Sequence, residues 1–365
     1  MSNMFQKLFL PLAVCALLGV SFTACQKKKE AAAGKSGDDL SVALLINGSL
    51  GDKSFQDSAN NGLTLVKNEL GLKTRVAEMG YDESKWEPAL RDLCDEGYDI
   101  IVCGTWQLTD IVERLTKDYP DQKIIVYDTS VNYANGENKN VYSMEYKQNE
   151  GSYLGGVLAA AMSKSGIIGF VGGTDIPVIN DFLVGYIQGA KAENPAIKVV
   201  PSYVGNFEDT AKAKELAFAQ YNIGADVIFS VAARAGNGAI EAAKERGRYS
   251  IGVDYDQAML FQQTDPAMAQ RVISSVLKRV DQSILLAVRR AQEGTLPWGT
   301  REVLGINENC IGLADNPIYQ SEVPAPIRDR ISELTEKVKA GQIKIDTAFG
   351  MDAGALNAYI NSLRP

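Results

Sequence analysis

The sequence predicts an α/β protein of two lobes, each built on a parallel sheet flanked by helices. Three observations carry this reading. Short apolar runs recur along the chain and end at Gly, Asn or Asp. Segments with helical spacing separate them. The alternation then restarts near residue 167, so one strand–helix series follows another.

The first series begins with Leu40–Ile46, a short apolar run ending in Asn47-Gly48, the pattern of a buried strand. Phe55–Leu70 carries helical spacing and stops at Gly71. Tyr98–Cys103 reads as a second strand stopped by Gly104, Leu108–Lys117 as a helix, and Lys123–Tyr127 as a third strand ending at Asp128. Asn149–Ser163 is a helix rich in small residues. The second series has strands at Ile167–Val171, Lys198–Val204, Asp226–Val231 and Ser250–Val253. Its helices are Phe182–Asn194, Thr210–Tyr221 and Gly238–Arg246. Arg271–Glu293 reads as one long helical stretch, and Ile327–Lys339 as the last helix. Open parallel sheets bind ligands beyond the carboxyl ends of their strands. Here those ends carry Asn47, Gly104-Thr105-Trp106, Asp128, Gly172-Gly173, Ala232-Ala233-Arg234 and Asp254. Two facing lobes would pool them in one cleft.

The N-terminus reads as an export signal. Lys7 precedes an almost wholly apolar run from Leu8 to Val20, too short to span a bilayer comfortably. Phe22-Thr23-Ala24-Cys25 follows, an apolar residue and small residues before Cys. It resembles the lipobox of bacterial lipoproteins, which implies cleavage before Cys25 and a lipid on its thiol; an ordinary signal cut near Ala24 is the alternative. Residues 1–24 are thus a signal peptide, and residues 25–39 lack apolar periodicity and read as a flexible tether.

Composition narrows the function. A net charge of −8 over 365 residues argues against nucleic acid as a partner, because phosphate binding needs a basic face. The chain has no His. That removes the commonest general base and the commonest metal ligand, and no CxxC pair replaces them. Neither a catalytic centre, a metal site nor a cofactor is expected. Cys94, Cys103 and Cys310 read as buried thiols, with a Cys94–Cys103 disulfide as the alternative.

Five motifs in order then become familiar: Gly48-Ser-Leu-Gly-Asp52-Lys-Ser-Phe55, Gly172-Gly-Thr-Asp-Ile-Pro-Val-Ile179 with Phe182 after it, Gly236-Asn-Gly238, Ile251-Gly-Val-Asp254 and Ser274-Ser-Val-Leu-Lys278. The chain resembles the basic membrane protein family, substrate-binding lipoproteins of ABC transporters, and within it the purine-nucleoside receptors. The resemblance implies a type I periplasmic-binding-protein fold, two Rossmann-like lobes joined by a three-crossover hinge. The crossings fall near Tyr146, Leu277 and Glu308. Lobe 1 is then 40–146 plus 277–308, and lobe 2 is 147–276 plus 309–365.

The resemblance also implies roles. Phe55 matches a base-stacking aromatic, though it could instead begin a helix and pack inward. Phe229 matches a second stacking position inside an apolar strand. Asp128 would accept hydrogen bonds from the ligand, and Asp254 would grip the ribose hydroxyls, since one carboxylate can accept from two vicinal hydroxyls. Lys278 matches a ligand-contacting lysine at a crossing, and Asn149 lies near the hinge. Trp106, at a strand end, could wall the pocket or cover the first sheet. Two departures stand out: Asn47, where close nucleoside receptors carry Asp, and Arg234, where the family commonly has small residues. Either bears on which ligand the cleft takes. The resemblance implies a monomeric, lipid-anchored, extracytoplasmic receptor whose partners are a nucleoside and ABC permease subunits. A surface lipoprotein binding a sugar, a nucleobase or a host partner is the alternative.

Overall fold

The structure is a computed structural model and describes residues 40–362. The expected signal, Cys25 and the tether lie outside them. The chain runs β1 (Ser41–Ile46), α1 (Phe55–Leu70), β2 (Lys73–Glu78), α2 (Trp86–Asp95), β3 (Ile100–Gly104), α3 (Thr109–Asp118), β4 (Lys123–Tyr127) and β5 (Val141–Tyr146). It continues through α4 (Gln148–Met162), β6 (Ile167–Gly172), α5 (Pro177–Glu193), β7 (Lys198–Tyr203), α6 (Thr210–Asn222), β8 (Val227–Val231), α7 (Ala233–Arg246) and β9 (Tyr249–Asp254). Then follow α8 (Gln257–Gln262), α9 (Pro266–Ala269), β10 (Val272–Lys278), α10 (Val280–Gln292), β11 (Thr300–Leu304) and β12 (Ile311–Leu313). The described chain closes with α11 (Pro317–Glu322), α12 (Ala325–Lys339) and α13 (Ala353–Asn361).

Two six-stranded sheets result. The first has the order β2-β1-β3-β4-β5-β11, with every pair parallel. The second has the order β7-β6-β8-β9-β10-β12, and only β12 is antiparallel to its neighbour. The first five strands of each sheet follow one topology, so each strand of lobe 1 has a counterpart in lobe 2. The chain passes between the sheets after β5, after β10 and between β11 and β12.

Local chemistry explains the elements that shape the cleft. The Asp52 carboxylate accepts from the backbone N–H groups of Ser54, Gln56 and Asp57 at 2.9–3.1 Å, satisfying the free donors at the start of α1. In lobe 2, α4 and α5 touch backbone to backbone: a Cβ at Gly189 would lie 1.9 Å from the carbonyl oxygen of Tyr153. Small residues make that approach possible.

One expected element is corrected. Arg271–Glu293 is not one helix; β10 occupies Val272–Lys278, all seven residues buried, and α10 starts at Val280. A strand buried on both faces has no alternation of polar and apolar residues, so spacing alone does not separate it from helix. Lobe 1 also contains β2, α2 and β5, which the apolar runs do not announce. In β2, four of six residues are polar or charged, because it is the outer strand of its sheet. Cys94, Cys103 and Cys310 are buried free thiols, and burial pushes the Cys94 thiol up to about 11.

Candidate functional site

The carboxyl ends of the strands of both sheets face one cavity. It holds about 690 Å³ of atom-free space, open mouth included. Four non-glycine residues just past its strands have positive φ: Thr105 (76°) after β3, Asp128 (61°) after β4, Ala233 (46°) after β8 and Asp254 (63°) ending β9. β3 and β4 are the counterparts of β8 and β9, so the same unfavourable turn recurs at matching places. Backbone strain of this kind collects where a side chain must be aimed.

Lys278 ends β10 and is 2% exposed. Its ammonium pairs with the Asp128 carboxylate. It also lies 5.1–5.6 Å from the ring centres of Phe55, Tyr146 and Phe182, a cage of aromatic faces that offsets lost hydration. Burial pushes the Asp128 carboxyl up, and Lys278 pulls it back. Asp254 is 6% exposed and accepts a 2.5 Å hydrogen bond from the Ser54 hydroxyl. Burial raises its pKa to about 7; Lys278 and Ser54 act downward, and the charges of Asp52 and Asp128 act upward.

The cavity also has uncharged polar walls. Asn47 Nδ2 donates to Thr105 Oγ1 at 2.7 Å, and that hydroxyl donates to Gln107 Oε1 at 2.6 Å. This chain holds the Asn47 amide with Oδ1 buried and without a partner. Gln56 Oε1 is buried and unpartnered in the same wall. Phe55 is backed by Tyr127, ring centres 5.7 Å apart. Tyr127 fits because Gly104 has no Cβ; one built there would meet the ring at 2.4 Å.

Lobe 2 side chains also grip the segment before α1. Arg234 Nη2 donates to the Leu50 carbonyl at 2.7 Å, Asn237 Nδ2 to Asp52 O at 3.1 Å, and Gln257 Nε2 to Lys53 O at 3.1 Å. With Ser54–Asp254, these bonds hold the two lobes together over the cavity.

A family model described as ABC transporter substrate-binding protein PnrA-like matches residues 40–344. The chain belongs to this family. It is 32% identical over 312 residues to basic membrane protein A of Borreliella afzelii, covering 84% of this chain and 92% of that protein. It is 28% identical over 357 residues to the ABC transporter nucleoside-binding protein BmpA of Lactococcus lactis subsp. cremoris, covering 93% and 99%. A solved ABC transporter solute-binding protein from Aeropyrum pernix K1 superposes with a TM-score of 0.76 at 27% identity, covering 89% of this chain and 97% of that one. The fold is that of type I periplasmic binding proteins. As a PnrA-like substrate-binding protein, the chain captures a small molecule outside the cytoplasmic membrane for permease subunits and is not an enzyme. Among the described residues no helix is long and apolar enough to cross a membrane, and no group of three or more His, Cys, Asp or Glu could hold a metal ion.

Six residues singled out in the sequence line the cavity of this PnrA-like protein: Asn47, Phe55, Trp106, Asp128, Asp254 and Lys278. Three do not. Phe229 is fully buried in β8, packed edge-on against Phe170 and Phe182 and beside Tyr186. It stands two residues short of the strand end, about 7 Å back from the cleft at the rise of a strand. Phe182, packed against it, lines the cavity in its place. Arg234 points at Leu50, and its neighbour Ala233 forms the wall. Asn149 donates to the Asp346 carbonyl at 3.0 Å in a separate groove at the hinge. Sequence reasoning missed Phe182, Tyr81 and Phe207. Phe182 closes a motif already singled out. Tyr81 and Phe207 follow the matching outer strands β2 and β7, so the strand-end rule finds both once those strands are paired.

Proposed function

We propose that this protein is a lipid-anchored receptor that captures nucleosides, purine ribonucleosides in particular, between its lobes. The observation that carries the reading is the polarity of the cavity. Phe55 and Phe182 frame it, both near 5.5 Å from the Lys278 ammonium. Asp128 and Asp254 bring carboxylates to it, and Asn47 and Gln56 bring side-chain amides. A flat base with N–H donors suits the amides, and a ribose with vicinal hydroxyls suits the carboxylates. Stacking of the base on Phe55 would contribute about 1–3 kcal/mol. The nucleoside-binding relative from Lactococcus supports the same ligand class. Cys25 would carry the lipid and keep the receptor at the membrane beside its permease.

Calorimetry of the purified protein against nucleosides tests the ligand, after denaturation and refolding to strip any molecule carried through purification. We expect saturable binding of guanosine, inosine or adenosine and weaker binding of their 2′-deoxy forms. Silence across the panel, or a sugar as the co-purifying molecule, would overturn the reading. For the anchor, the mass of the N-terminal peptide should show diacylglycerol on Cys25, and Cys25→Ala should release the protein from membranes.

A further inference from the structure

Beside the main cavity lies a second chamber that the nucleoside reading leaves unused. It holds about 840 Å³ of atom-free space, open mouth included. Trp106, Asp128, Ile176 and Val178 line both chambers, so the two adjoin. Pro177 and Phe349 complete an apolar wall. Trp106 is 57% exposed, the most of any large apolar side chain among the described residues, and Phe349 is 49% exposed. Two exposed aromatics at one opening mark a contact surface rather than core. Phe349 is held in place: the Thr347 hydroxyl and the Ala348 N–H donate to the buried Asp181 carboxylate at 2.5 and 2.9 Å. Gln148 also lines the chamber, and its Oε1 is buried without a partner.

The chamber's position decides what it would take. It meets the main cavity at Trp106, Asp128, Ile176 and Val178 and not at Asn47, Gln56 or Tyr81. β4, which leads into Asp128, lies next to the crossing strand β5 and away from β1. On the nucleoside reading, on which this inference rests, the Asp128–Lys278–Asp254 end holds the sugar. The ribose carbon outside the ring, C5′, is then the atom from which a substituent enters the second chamber. No Lys or Arg lines it, and two acids, Asp128 and Glu145, do. A 5′-phosphate is disfavoured there, and an uncharged apolar group is favoured. We infer that the second chamber is a subsite for an apolar 5′ substituent, and that the protein takes 5′-alkylthio nucleosides in preference to their parents.

Matched pairs test this by calorimetry on the purified protein: adenosine against 5′-deoxy-5′-methylthioadenosine, inosine against its 5′-methylthio form, and adenosine 5′-monophosphate as the charged control. The methylthio compound should bind about five-fold tighter or more, as expected for newly buried apolar surface, and the phosphate should bind more weakly than adenosine. Phe349→Ser should erase the preference and leave parent affinity unchanged, because Phe349 does not line the main cavity. Equal binding within each pair, or a preference that survives Phe349→Ser undiminished, would overturn the subsite while leaving the nucleoside reading intact. Binding of neither partner of any pair would sink both.

Discussion

The two lobes share a strand order but furnish the cleft with different chemistry. Lobe 1 brings mainly hydrogen-bonding groups: Asn47, Gln56, Thr105, Gln107 and Asp128. Lobe 2 brings mainly apolar ones: Ile176, Val178, Ile179, Phe182 and Phe207. One topology thus serves two tasks. The first lobe fixes a ligand's orientation, since hydrogen bonds are directional. The second removes water, since apolar burial is not. The charged exceptions, Asp254 and Lys278, end β9 and β10 of the second sheet, which runs through Lys278 rather than stopping at the expected boundary before Leu277, and they point across at Ser54 and Asp128. They are therefore as much a seam between the lobes as a part of either.

The largest effect should come from breaking that seam. Lys278→Ala leaves Asp128 buried beside Asp254 without its cation, and removing one partner of a buried pair costs about 3–5 kcal/mol. Chemical denaturation measures it; a loss below about 1 kcal/mol would show that the pair contributes little to joining the lobes.

Asp254 should make stability fall as pH rises. Its folded pKa of about 7 lies above the ordinary value of 3.8. Between those values the folded state holds more protons than the unfolded chain, so each pH unit upward removes at most about 1.4 kcal/mol. Above about 7 this contribution is gone. Asp52, Asp128, Lys278 and Ser54 all face the group, so the clean measurement is a difference. Melting curves of wild type and Asp254→Asn should lie closest near pH 4 and separate toward pH 7, the variant gaining on wild type, if the charged Asp254 is the penalised form. Parallel curves from pH 4 to 7 would refute it.

A smaller effect separates the cavity from the core. Phe182→Leu should weaken ligand binding by about 1–3 kcal/mol if the ring stacks on the base. Phe229→Leu should leave binding unchanged and cost under about 1.5 kcal/mol of stability. Equal loss of affinity in both would show that lobe 2 acts only through packing.

The smallest effect tests how the lobes stay closed. Arg234→Ala removes one interlobe hydrogen bond, worth about 1 kcal/mol. Small-angle scattering of the ligand-free protein should then report a larger radius of gyration, while affinity drops only a few-fold. A drop of a hundred-fold would instead place the guanidinium on the ligand.

Much of the site was legible because strand ends are legible. Apolar runs stopped by Asn, Gly or Asp mark β1, β3, β4 and β9, and Asn47, Trp106, Asp128 and Asp254 follow from them. Phe229 shows the limit. Its neighbours in β8 are buried on both faces, so nothing in the order of residues says that the cleft begins at Val231. Arg234 shows another limit. Its size and charge suggest a ligand contact, yet Leu50, 184 residues away, takes the hydrogen bond.

The sequence by itself determined the doubled α/β architecture, since that rests on local spacing of apolar residues, and the absence of His that excludes the commonest catalytic and metal chemistry. It also singled out most of the polar residues at the cleft. Only the tertiary structure decided which aromatic lines the cavity, how Lys278 is shared between two lobes, and that a second apolar chamber opens beside Asp128. Those are matters of separation in space between residues far apart in the chain, and no local period encodes them.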